Sequence, residues 1–209
     1  MFLDVLRAAG LAKDLAGDEL LRVATAIADA DGLERRIDLL ESYYGAAGDQ
    51  GIGEARRTGD RFFLQHASDP VTAAGLVTRL GEITPELGAI ALERIGAGDD
   101  GPLVLRAGEH FCALLDEHEE TLDTDEIDLR DLEERRRAGG VTMVTVRGLV
   151  RAVNVLLDRH GVRERLVALR SDAQREVYLA TSVTDAIQLA RGGWLEDDDV
   201  EEVMELGGW

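Results

Sequence analysis

The stretch from Val141 to Gly193 constrains the fold most, because hydrophobic period, caps and turn chemistry agree along its length. Val146, Leu149, Val150, Val153, Leu156 and Leu157 recur at steps of three and four, with Arg147, Arg151, Asn154 and Asp158 on the opposite stripe. That period predicts an amphipathic helix with one buried face. Thr145 stands where a side chain can cap the first turn, and Gly161 stands where a left-handed stop is needed. Leu166 to Leu169 and Val177 to Leu179 are short apolar runs separated by the polar residues Arg170 to Gln174. They predict a β-hairpin. Ser182, with Asp185 three residues on, resembles a capping box ahead of the apolar face Val183, Ala186, Ile187 and Ala190, and Gly192 and Gly193 end that helix. A lone hairpin is marginal, so it should lie on the 145–160 helix or pair with the strand-like Val141 to Val144.

The first 140 residues read as helices. Phe2, Val5, Leu6 and Ala9 share one helical face, Leu20, Val23, Ala24 and Ile27 a second, and Leu33, Ile37, Leu40 and Tyr44 a third. Each of the three prolines, Pro70, Pro85 and Pro102, stands where a helix can begin. The helix after Pro102 would bury Val104, Ala107, Phe111, Leu114 and Leu115. The fold class expected is therefore mainly α: a helical bundle over 1–140, then a small α+β part over 141–209 running helix, strand, strand, helix, helix. The two parts pack separately or as one domain.

Charge narrows the partners. The 209 residues carry 42 Asp and Glu against 23 Lys and Arg, a formal net charge of -19, so a nucleic-acid backbone would be repelled. No apolar run approaches the ~20 residues of a membrane helix. The opening MFLDVLRAAG lacks the basic start and apolar run of a signal peptide, and the single cysteine, Cys112, cannot form an internal disulfide. The expectation is a cytoplasmic prokaryotic protein that binds neither nucleic acid nor membrane.

Candidate chemistry is sparse. The glycines from Gly45 to Asp60, with Arg56, Arg57 and Arg61 nearby, match neither a Walker loop nor a dinucleotide fingerprint and read as a helix connection. Glu109, Cys112, Asp116 and Glu120 would line one side of the expected helix, beside His110 and His118, but no Glu-x-x-His or His-Glu-x-x-His run accompanies them. No metal and no cofactor is expected. Serines 42, 68, 171 and 182 lack a nucleophile elbow, and Cys112 among acids is the reverse of an activated thiol.

What stands out is binding. The acidic run from Asp116 to Glu134, with Asp123, Asp125 and Asp128, fails the EF-hand pattern and suits a solvated face or the docking of a basic partner. Trp194 and Trp209 bracket a last helix with Val200, Val203 and Met204, which fills a core groove or anchors an interface. The candidate partner-binding residues are accordingly Trp194, Val200, Val203, Met204, Trp209, Asp123, Asp125 and Asp128. The leading expectation is a protein-interaction or regulatory protein acting through its acidic surface and C-terminal region. Its alternatives are a small metal-dependent enzyme or hydrolase using His110, His118 and nearby carboxylates, and an acidic, antitoxin-like inhibitor of a basic protein.

Overall fold

The structure, a computed structural model, describes residues 2–13, 15–45, 61–66, 72–94, 103–114, 144–171 and 175–195. Six helices occur in them: α1 (Phe2–Ala8), α2 (Gly17–Ala28), α3 (Gly32–Gly45), α4 (Ala73–Ile83), α5 (Val146–Arg159) and α6 (Val183–Arg191). The strands are β1 (Phe62–His66), β2 (Ile90–Arg94), β3 (Leu103–Ala107), β4 (His110–Ala113), β5 (Glu164–Ser171) and β6 (Arg175–Ser182), and a 3-10 turn spans Pro85–Leu87. Helix accounts for 51% and strand for 26% of these residues, and the strands form two three-stranded antiparallel sheets. The expected mainly helical bundle is thereby overturned, and the fold is α+β.

The chain divides into two compact units, Met1–Ser68 with Glu164–Trp209, and Asp69–Arg163. The domain boundary expected at residue 140 falls outside the described residues.

In the first unit the hairpin forms as the sequence predicts, β5 pairing with β6 from Glu164↔Ser182 to Ser171↔Glu176 with one irregularity between Ala168 and Arg170. Residues 141–143, expected as a further strand, lie outside the described residues. The third strand of the sheet is β1, which runs antiparallel to β6 in the register Phe62↔Leu179 to His66↔Arg175. Phe62, Leu64, Val167, Leu169, Val177 and Leu179 from this sheet share one core with Leu6, Leu11 and Leu15 near the start of the chain. Burying each of those leucines removes a side chain from water for roughly 1.5–3 kcal/mol. Helix α6 follows β6 directly, because the Ser182 hydroxyl accepts from the Asp185 backbone N–H at 3.1 Å and so caps the first turn. Polar ties complement the core: Asp38 on α3 accepts from Arg170 at 3.3 Å and from Arg175 at 3.0 Å, joining that helix to both hairpin strands.

In the second unit β2, β3 and β4 form a meander in chain order. The expected helices after Pro85 and Pro102 are thus a 3-10 turn followed by β2, and the hairpin β3–β4. The hairpin turns at Gly108 and Glu109, since Ala107 pairs with His110. Gly108 has φ +57, and a two-residue loop with positive φ at its first position suits the twist of the flanking strands. Helix α5 begins where expected, with the Thr145 hydroxyl accepting from Gly148 N–H at 3.0 Å. It ends at Gly161, φ +68, where Val162 N–H reaches Leu157 O at 2.9 Å, closing a Schellman stop. Helix α4 is capped by Thr72, whose hydroxyl accepts from Gly75 N–H at 3.1 Å, whereas the cap and proline expected at Asp69 and Pro70 lie outside the described residues.

Candidate functional site

A cleft of about 450 Å³ lies between α1 and α2, lined by Leu3, Asp4, Arg7, Gly17, Leu20, Leu21, Ala24 and Ala28. Its origin is a wide apolar stripe on α2. Ile27 is buried in the core, and Leu20, Val23 and Ala24 pack against it, which uses the face that a helix normally turns inward. Leu21 lies outside that set and is 67% exposed, the one large hydrophobic side chain so exposed among the described residues. Leu21, Ala24 and Ala28 follow one another at steps of three and four, so one wall of the cleft is a short apolar ridge. Asp4 and Arg7 stand one helical turn apart on α1 and give the other wall its polarity. Asp18, Glu19 and Arg22 on α2 add two acids and one base, with Arg22 and Glu19 4.0 Å apart and solvent-screened.

The residues singled out from the sequence fare differently. Trp194, named as a partner-binding candidate, has no exposed surface and belongs to the core of the first unit, with its backbone N–H donating to Leu189 O at 3.0 Å. An indole held in a core cannot anchor an interface, so Trp194 is a packing residue. Val200, Val203, Met204, Trp209, Asp123, Asp125 and Asp128 lie outside the described residues, as do Asp116, His118 and Glu120 and the glycine-rich segment from 46 to 60.

Cys112 is on β4 rather than on a helix, and it is fully buried. Burial pushes its thiol up to about 12 from 9.0, with the Arg159 guanidinium acting weakly the other way. A thiol of that kind is not an activated nucleophile at neutral pH. The strand also ends the idea of four ligands in line on one helical side. Among the described residues no group of three or more His, Cys, Asp or Glu side chains could hold a metal ion. Ser182 is engaged as a helix cap, its hydroxyl 2.7 Å from the Asp185 carboxylate.

Two histidines do come together. His110, first in β4, and His160, at the C-terminal cap of α5, have ring centroids 4.9 Å apart at an interplanar angle of 78°. His160 Nε2 lies 3.2 Å from Ala107 O, and the neighbouring Arg159 donates to Phe111 O at 2.8 Å. The pairing of His110 with His160 is not legible in the sequence, where fifty residues separate them and the helical period expected after Pro102 carries His110 and His118 on one helix. The exposed Leu21 was likewise missed, although a leucine adjoining Leu20 on a helix whose inward face is already complete is a visible signal.

Comparison of the chain with protein-family models, curated proteins and solved structures finds no match. Among the described residues no helix is long and apolar enough to cross a membrane.

Proposed function

We propose that this chain is a cytoplasmic protein-interaction protein of regulatory or accessory type, which receives an apolar side chain of a basic partner in the cleft between α1 and α2. The observation that carries the proposal is Leu21, a leucine left 67% exposed on a helix whose buried face is already satisfied. Covering it with a partner's apolar side chain removes both from water, which for Leu21 amounts to about 1.5–3 kcal/mol if its burial becomes complete. The basic character of the partner follows from complementarity with a net charge of -19, which speeds encounter and selects against acidic competitors. The acidic residues Asp123, Asp125 and Asp128 and the C-terminal residues from Val200 to Trp209 extend this reading as further contacts.

The test compares capture by the full chain, by Leu21→Asp and by a chain ending after Leu195, at low and at high salt. Trp194 and Leu195 must be kept in that truncation, because both are in the core. The expected result is a basic protein bound at low salt, weakened at high salt and bound ~10-fold or more weakly by Leu21→Asp. Loss on truncation would add the C-terminal residues to the interface. If Leu21→Asp captures the same proteins as the unaltered chain, the cleft is not the docking site.

A further inference from the structure

We infer that His110 and His160 together form a binding site for a single borderline divalent cation such as Zn²⁺, with solvent completing its coordination. The argument begins with the hydrogen bond at His160. A backbone carbonyl can only accept, so the contact of 3.2 Å between Nε2 and Ala107 O places a proton on Nε2. In the neutral ring the lone pair is then on Nδ1. This is the arrangement by which proteins prepare imidazole ligands, one nitrogen donating to a carbonyl while the other faces the metal.

The second imidazole is at the right distance. A cation bound at about 2.0–2.1 Å to one nitrogen of each ring, with a near-tetrahedral angle between them, holds the ring centroids roughly 5 Å apart. His110 and His160 are at 4.9 Å. His110 is partly exposed at the start of β4 and His160 is exposed, so rotation of the His110 ring and entry of water to the remaining positions are both open.

The electrostatic surroundings admit a cation. His160 caps the C-terminus of α5, the negative end of the helix dipole. Arg159, whose guanidinium is held on Phe111 O, opposes this with one positive charge and so weakens the site. Two protein nitrogens and no third side chain among the described residues imply a site that exchanges its metal readily and does not hold the fold together.

The test is calorimetric titration of the full chain with zinc chloride. The expected result is saturable binding of one ion per chain, weakened ~10-fold or more by His110→Ala and by His160→Ala. The double variant His66→Ala/His118→Ala should bind as the unaltered protein does. His110→Ala leaves the α5 cap intact, so it decides the matter if His160→Ala fails to fold. Absence of saturable binding overturns the inference, as does undiminished affinity in His110→Ala or a loss confined to the His66/His118 variant.

Discussion

Each compact unit contains a three-stranded antiparallel sheet, but the two sheets are assembled from opposite kinds of contact. In the second unit β2, β3 and β4 succeed one another within Ile90–Ala113. In the first unit β6 lies between its hairpin partner β5 and β1, and β1 precedes β6 by more than a hundred residues. The cost of closing so long a connection grows only slowly with its length, so a remote strand is tolerated when packing rewards it. The first unit supplies that reward through a core that includes Trp194 and through the arginines on Asp38. The local meander also has buried residues, Val104, Leu105 and Cys112, and an ion pair from Arg106 to Glu93 at 2.7 Å, but it closes no long connection.

Four measurements put this contrast at risk. The largest effect should come from Trp194→Ala, which empties the bulkiest fully buried position among the described residues and costs about 3–5 kcal/mol by urea denaturation. A cost near that of an exposed substitution would mean that the first unit does not depend on this core. Next, Asp38→Ala should lower stability by ~1–2 kcal/mol, less at high salt, since it removes the carboxylate that accepts from both Arg170 and Arg175. Salt-independent loss would assign the effect to packing instead.

The helix caps offer a control across both units. Thr145→Ala in the second removes one hydroxyl-to-amide bond and should cost ~1 kcal/mol, whereas Ser182→Ala in the first removes such a bond and also the bond to the Asp185 carboxylate and should cost more. Equal costs would show that the carboxylate bond adds nothing to the cap.

The smallest effect near neutral pH concerns Cys112. Because its folded thiol is raised from 9.0 to about 12, the unfolded chain releases this proton first as pH rises. The thiol's contribution is therefore complete below pH 9 and is lost progressively between 9 and 12. At pH 9 the loss is a few tenths of a kcal/mol, about 0.4 for a single titrating group. Cys112→Ala should flatten that part of the alkaline stability curve, and an unchanged slope would assign it to other groups.

The same contrast explains what was legible in the sequence. Helix α5, the β5–β6 hairpin and α6 are written in local signals, with Thr145, Gly161 and Ser182 each at a chain reversal or helix end. The meander was misread because Val104, Ala107, Phe111 and Leu114 satisfy a helical step while Leu103, Leu105 and Ala107 satisfy a step of two. Strands of four or five residues are too short to separate those periods. The Gly108–Glu109 turn was the cue that could have decided it.

Strand β1 was hidden for a different reason. Phe62, Phe63, Leu64 and Gln65 are all buried, so no alternation marks a solvent face, and the partner strand is remote in the chain. Of the candidate site, the acidic balance was legible, whereas the exposure of Leu21 and the meeting of His110 with His160 depend on tertiary placement.

The interruption of the first unit by the second has a consequence during synthesis. At roughly 5–20 residues per second, the ribosome adds the segment between β1 and β5 over on the order of ten seconds. By the end of that interval Leu6, Leu11 and Leu15 still lack the hairpin that buries them, while the inserted unit, contiguous in the chain, has gained β2, β3 and β4. The N-terminal helices therefore pass through a period in which their apolar faces do not yet have the protein's own sheet as cover.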